Sequence, residues 1–314
     1  MKLKKFIING FSFLFVFLMI YIPAMIIMCK VKYKNKPIIF RTSEIYKVKG
    51  GNTYQKFKEF NINEKYDIIV IGSSHAYRSY DPRNFSKLKI KMFNLGSSGQ
   101  SPLNTYYLVK NYIKSGNCKL VLFDVYDGAF NNNGFESSSD LIQNVSSNKA
   151  ALQMAASYTN PQILNMLALR FVNLNSPPVF LDSTYVSNGF SQKNDTLRYS
   201  LPYEDYENRT SPSPLQAEYM EKTIRYIKEQ GISLIMTTIP FPKEKSRVEH
   251  DQYSKEFHEI AEKYKIKYFD YSFNTNFNSE LHFYDSHHLN QDGVNLYNEI
   301  LIKDLRANNY FNQP

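Results

Sequence analysis

The longest apolar run is Phe6 to Met28, 23 residues without a charge and broken only by Asn9, Gly10, Ser12 and Pro23. As a helix rising 1.5 Å per residue it spans a bilayer core of roughly 30 Å. A secretory signal has an apolar core of about 7–15 residues and closes on a small-residue cleavage site. This run is longer and closes on Ile26-Ile27-Met28-Cys29, so an uncleaved anchor over residues 1–29 is expected. A basic connector of mixed polarity follows over 30–62, with a break at Gly50-Gly51.

From residue 63 to 314 short β-branched apolar runs alternate with amphipathic stretches. Asp67 to Ile71, Lys89 to Asn94, Lys119 to Val125, Ile232 to Ile239 and Lys267 to Tyr271 read as buried strands. Pro102 to Lys114, Leu215 to Gln230, Glu249 to Tyr264 and Asp292 to Leu305 carry helical spacing, with Ser101 as a cap and Gly231 as a stop. This order predicts an α/β fold, a doubly wound, flavodoxin-like parallel sheet with helices on both faces and sites at the carboxyl ends of the strands. The rhythm stops between about 127 and 214, a stretch rich in Asn, Ser, Tyr and Pro. One helix is expected there, around Ala150 to Phe171, and no strand. So long an interruption reads as an insertion over the active edge.

The net charge of +9 raises nucleic acid as a partner until it is located. Residues 1–50 hold ten basic side chains against Glu44 alone, which leaves a neutral body of 28 basic and 28 acidic residues. No phosphate-tracking surface is expected. Lysines flank the apolar run on both sides, so charge gives no vote on orientation. Cys29 and Cys118 stand too far apart in character for a disulfide to be expected.

The chemistry gathers in three loops. Gly72-Ser73-Ser74-His75 follows the first strand, Leu95 to Gln100 follows the second, and Asp285-Ser286-His287-His288 lies near the end of the chain. In Asp-x-x-His the carboxylate accepts a hydrogen bond from one imidazole nitrogen and leaves the other to take a proton. Ser74 is then the nucleophile, His288 the base and later the acid, and Asp285 the group that orients it. The amides of Ser74 and Gly99 are candidate oxyanion donors. Ser73 is the rival nucleophile. His282, Asp285, His287 and His288 form a rival metal set, but that reading leaves Ser74 without a purpose, so neither metal nor cofactor is expected. His75 and His287 read as loop residues. Arg78 is a candidate contact for an acidic substrate group, or a surface side chain. Gly96-Ser97-Ser98-Gly99 is too short for a phosphate loop.

These three segments resemble the first, second and fifth sequence blocks of the SGNH, or GDSL-type, hydrolases, over about residues 64 to 306 without the insertion. The resemblance assigns the nucleophile to Ser74, an oxyanion donor to Gly99 and the Asp/His pair to Asp285 and His288. Two departures stand out. Ser73 replaces the first-block Asp, and the third-block Asn has no match in Phe123-Asp124-Val125-Tyr126-Asp127-Gly128, where Tyr126 or Asn131 takes its place or the position is empty.

The single amino-terminal span and long insertion are similar to those of membrane-anchored relatives that move acyl groups on envelope polymers, such as polysaccharide O-acetyl transfer proteins and the D-alanine transfer protein of teichoic acid. The resemblance implies a catalytic domain outside the cytoplasm, a glycan or polysaccharide substrate and a multi-span membrane acyltransferase as partner. The expected function is O-acyl transfer through an acyl-Ser74 intermediate. The alternatives are a carbohydrate esterase or deacetylase, and a non-catalytic carbohydrate-binding or scaffold subunit.

Overall fold

The computed structural model of the chain describes residues 2–34, 36–196, 213–243 and 247–311. Helix α1 (Lys2–Lys30) is exposed along its first five turns, and Met25 and Cys29 near its end are buried in the body. A small hairpin, β1 (Lys32–Tyr33) with β2 (Lys36–Pro37), leads to a single turn of 3-10 helix at Ile38–Arg41 and then to α2 (Gly51–Glu59). The connector is therefore not a bare tether. Ile39, Tyr46, Phe57 and Phe60 belong to the same apolar core as the sheet.

The rest is the expected α/β alternation: β3 (Tyr66–Ile71), α3 (Ser74–Ser79), α4 (Pro82–Ser86), β4 (Met92–Asn94), α5 (Pro102–Tyr112) and β5 (Cys118–Asp124). After β5 come α6 (Asp127–Asn131), α7 (Phe135–Asn144), α8 (Asn148–Ala156), α9 (Pro161–Val172), β6 (Tyr185–Ser187), β7 (Phe190–Ser191) and α10 (Pro214–Glu229). The chain closes with β8 (Ser233–Thr238), α11 (Arg247–Tyr264), β9 (Lys267–Asp270), α12 (Ser279–His282) and α13 (Gln291–Ala307). The five main strands lie in the order β4-β3-β5-β8-β9, all parallel. This is a doubly wound sheet whose order changes direction at β3.

Successive side chains of β3 point to opposite faces, as strand geometry requires. Ile69 and Ile71 pack with α5, α10 and α11 through Leu108, Ile224 and Phe257. Ile68 and Val70 pack with α3, α4 and α13 through Ala76, Phe85, Tyr297 and Leu301.

The insertion departs from expectation. The single helix expected around 150 to 171 is two helices, because Asn160 caps the amide of Gln162 at 2.7 Å and Pro161 takes the first position of a new helix. A short antiparallel hairpin, β6–β7, stands where no strand is expected. The amide of Asn94, at the end of edge strand β4, donates to the Asn188 carbonyl at 2.9 Å, so this hairpin covers the sheet edge. Residues 197–212 of the expected insertion lie outside the described residues.

Candidate active site

Gly72 ends β3 with φ +145, and a β-carbon there would meet the Asp124 carbonyl oxygen at 2.7 Å. Only glycine fits so tight a turn between strand and helix. The next residue starts the helix: the Ser73 hydroxyl accepts from the His75 amide at 3.3 Å as the cap of α3. Ser73 is thus buried, with its hydroxyl engaged as a cap.

Ser74 occupies the first helical position, with its amide free of any partner within the helix. Its Oγ lies 2.8 Å from His288 Nε2. On the other side of the ring, His288 Nδ1 lies 2.8 Å from Asp285 Oδ2, and Asp285 Oδ1 accepts the amides of His287 and His288 at 3.0 and 2.8 Å. The carboxylate thus organises its own loop as well as the imidazole. A bridge between Phe283 and Leu289, both buried, pinches the base of that loop. Tyr284 stacks parallel to the His288 ring with centroids 5.5 Å apart.

Burial pushes His288 below its ordinary value and outweighs the upward pull of Asp285, and the Arg78 charge pushes the same way. Burial alone would raise Asp285, but the hydrogen bond and charge of His288 hold it down to about 2. A neutral imidazole with an ionised carboxylate behind it is the state a general base requires.

The other expected residues are more scattered. Gly99 lies at the tip of the β4–α5 loop with φ +54; its carbonyl accepts from Asn132 Nδ2 at 3.2 Å, and Glu136 lies alongside. The glycine that touches the nucleophile turn is Gly96, where a β-carbon would meet Ser73 O at 2.9 Å and Ala76 Cβ at 2.7 Å. Tyr126 directly precedes α6 and lays its ring against His75, centroids 3.7 Å apart, and parallel to His287. Asn131 ends α6. Arg78, one turn beyond Ser74, lies over the rings of Tyr77 and Tyr284 at 5.1 and 5.4 Å. Its Nη1 is buried without a hydrogen-bond partner among the described residues, and no described carboxylate lies within ion-pair distance of it.

His75, His287 and His288 bring ring nitrogens within 4.8 Å of one another. This differs from the metal set weighed above: His282 accepts the Asn278 amide at 2.9 Å and belongs to α12. Both nitrogens of His288 are engaged by Asp285 and Ser74, an arrangement suited to acid–base chemistry.

Lys56, in the connector, has a functional position with no signal in the sequence. It is fully buried, its ammonium donates to the Gly96 carbonyl and lies 4.8 Å from the Tyr77 ring, and burial pulls it down to about 7 against the opposing charge of Asp140. Since Gly96 abuts the Ser73 backbone, Lys56 ties the second loop to the first. Asp124 is the other such residue. It lies behind Gly72, Oδ1 accepts from Tyr80 at 3.1 Å, Oδ2 has no partner among the described residues, and burial raises the carboxyl to about 8.

No protein-family model matches the chain, and a search of curated proteins returns no match. Among solved structures the chain is similar to the acetylxylan esterase Axe2 from Geobacillus stearothermophilus, at 12% identity over 78% of this chain and 96% of that one, with a TM-score of 0.42. It is also similar to the acetyl xylan esterase AlAXEase, at 12% over 76% and 99% with a TM-score of 0.42. A third similar structure is a GDSL-like lipase from Bacteroides thetaiotaomicron, at 12% over 77% and 88% with a TM-score of 0.39. At these values the likeness is one of chain course, and the reading of the site rests on its own geometry.

Proposed function

We propose that this protein is a membrane-anchored serine acyl-ester enzyme that transfers an acyl group, acetyl above all, to a hydroxyl of a cell-surface or extracellular carbohydrate. The observation that carries this reading is the continuous hydrogen-bonded line from Ser74 Oγ through His288 to Asp285. In the first half-reaction His288 takes the Ser74 proton as Oγ attacks the acyl carbonyl. The tetrahedral oxyanion is held by the Ser74 amide and the second loop, and His288 returns the proton to the departing alcohol. In the second half a sugar hydroxyl gives its proton to His288, attacks the acyl-Ser74 ester and leaves as the new ester, restoring Ser74.

Two features support transfer over hydrolysis. Helix α1 is long and apolar enough to cross a membrane, and its last turns share the body's core, as fits a segment that stays attached. Tethering raises the effective concentration of a membrane-borne donor and a nearby polymer. A multi-span membrane acyltransferase is the proposed donor, and the body is proposed to lie outside the cytoplasm. The insertion also reaches the second loop, through Asn132 on the Gly99 carbonyl and Glu136 on the Ser98 hydroxyl at 3.1 Å. A covered edge favours a bound sugar hydroxyl over water as acceptor.

The test follows an activated acetyl donor with and without oligosaccharide acceptor. Acetylated sugar formed at the expense of free acetate, and lost in Ser74→Ala, is expected. Fast acetate release that no acceptor alters, together with deacetylation of acetylated polysaccharide, makes the protein an esterase instead.

A further inference from the structure

The body's position against the bilayer follows from where α1 becomes covered. Its uncharged run needs about 20 residues to cross a hydrocarbon core of roughly 30 Å. Only Phe6 to Ile20 are clear of the body, and 15 residues rise about 22 Å. The missing 8 Å or so must come from Tyr21 to Met25, because the alternative draws Lys5, Lys4 and Lys2 into the acyl chains. Tilting the helix lengthens the requirement.

Tyr21 to Met25 is also where α1 docks. The Tyr21 hydroxyl donates to Asn165 Oδ1 in the middle of α9, and Met25 is buried. Helix α9 is therefore carried to the depth of Tyr21. Beside Asn165 runs a stripe of Leu164, Ala168 and Phe171, spaced i, i+4, i+7 on one helix face. Leu164 is 47% and Phe171 52% exposed, although the opposite face of α9 fills the core with Ile163, Met166 and Leu169. Just past the docking point in the sequence come Lys30 and Lys32, both exposed and of the charge that lipid phosphates attract.

We propose that the exposed flank of α9, centred on Leu164 and Phe171, lies in the acyl-chain layer of the membrane that α1 enters, so that the body is seated on the bilayer and not held off it by a tether. This rests on the reading of α1 as a membrane span. The occupant of the flank is lipid.

The chain has no tryptophan, so single-tryptophan reporters of the full-length protein read depth directly. F13W, L164W, F171W and L281W are reconstituted into phosphatidylethanolamine–phosphatidylglycerol vesicles with brominated acyl chains. Leu281 is exposed among residues of the other sheet face and serves as the reference outside the membrane. Loss of most emission from F13W, L164W and F171W, with L281W unchanged, is the expected result. Quenching of F13W alone overturns the proposal but keeps the span, as when the body stands off or a protein covers α9. No quenching of F13W removes both. Equal quenching of L281W and the α9 reporters overturns the seating. Should L164W not fold, F171W reads the same stripe.

Discussion

In the proposed mechanism the reactivity of Ser74 depends on His288 being neutral, and the sign of that dependence is open to measurement. His288 is held below 6.5 by burial, so activity should fall only as pH drops through a half-point under that value and stay level through neutrality. Arg78→Met removes a charge that pushes His288 down and should move the half-point upward; an unchanged profile would remove Arg78 from the electrostatics of the site. Ser74→Ala and His288→Ala should each lower turnover at least about 10³-fold and abolish fluorophosphonate labelling, with the fold intact by circular dichroism. Labelling that survives Ser74→Ala and disappears in Ser73→Ala would transfer the role to the capping serine. Lys56→Met leaves the Gly96 carbonyl without its ammonium and should lower kcat about tenfold or more by loosening the second loop, with little change in KM. These two kinds of residue differ in how visible they are from sequence. Ser74, Asp285 and His288 were legible because a strand-turn serine and an Asp-x-x-His loop each have a local pattern. Lys56 was not, because a lysine in Lys56-Phe57-Lys58-Glu59 has the look of a solvated helix face, and only the tertiary packing of α2 buries it.

Between elements, a second histidine holds the carboxyl edge of the sheet together. His250 on α11 bonds Asp127 at the start of α6 through Nδ1 at 3.0 Å and Asp270 at the end of β9 through Nε2 at 3.2 Å. Burial alone would push His250 down, but these two carboxylates raise it to about 9, and burial would raise Asp270, but the hydrogen bond and charge of His250 hold it well below the usual carboxylate range. A histidine raised on folding contributes stability that is complete below its unfolded value of 6.5 and is lost as pH climbs through about 9. At about 1.4 kcal/mol per unit the contribution is on the order of 3 kcal/mol. Asp124, raised to about 8, acts in the same direction, favouring the folded state less as its carboxyl ionises. Thermal unfolding at pH 6 and pH 10 should therefore show a marked alkaline loss that is smaller in His250→Phe; equal losses in the two proteins would contradict the clamp. The sequence showed the helix and strands that carry this clamp but not the clamp itself, since Asp127, His250 and Asp270 meet only once β5, β8 and β9 are adjacent. The division of α8 from α9 had a legible signal, Asn160-Pro161, which the helical periodicity on either side concealed.

At the scale of the molecule, one apolar helix, one parallel sheet and one insertion act as a unit. The winding of the sheet could be read from five apolar runs separated by amphipathic helices, because β3, β5 and β8 are buried on both faces and the half-covered β9 keeps the same spacing. The connector and the insertion could not, because their polar, aromatic-rich sequence takes its structure from the surfaces it covers: Asn188 on the edge of β4, Asn132 and Glu136 on the second loop, and α9 on the end of α1. Those same surfaces bring the apolar helix α1 and the Ser74 loop into one body, which is what the proposed acyl transfer beside a bilayer requires. The most direct test of that account is the mass of the intact protein after brief incubation with an activated acetyl ester. An added acetyl group that maps to Ser74, is absent from Ser74→Ala and disappears when an oligosaccharide acceptor is supplied is the predicted result. An unmodified Ser74 under conditions in which acetyl groups still reach the acceptor would contradict it.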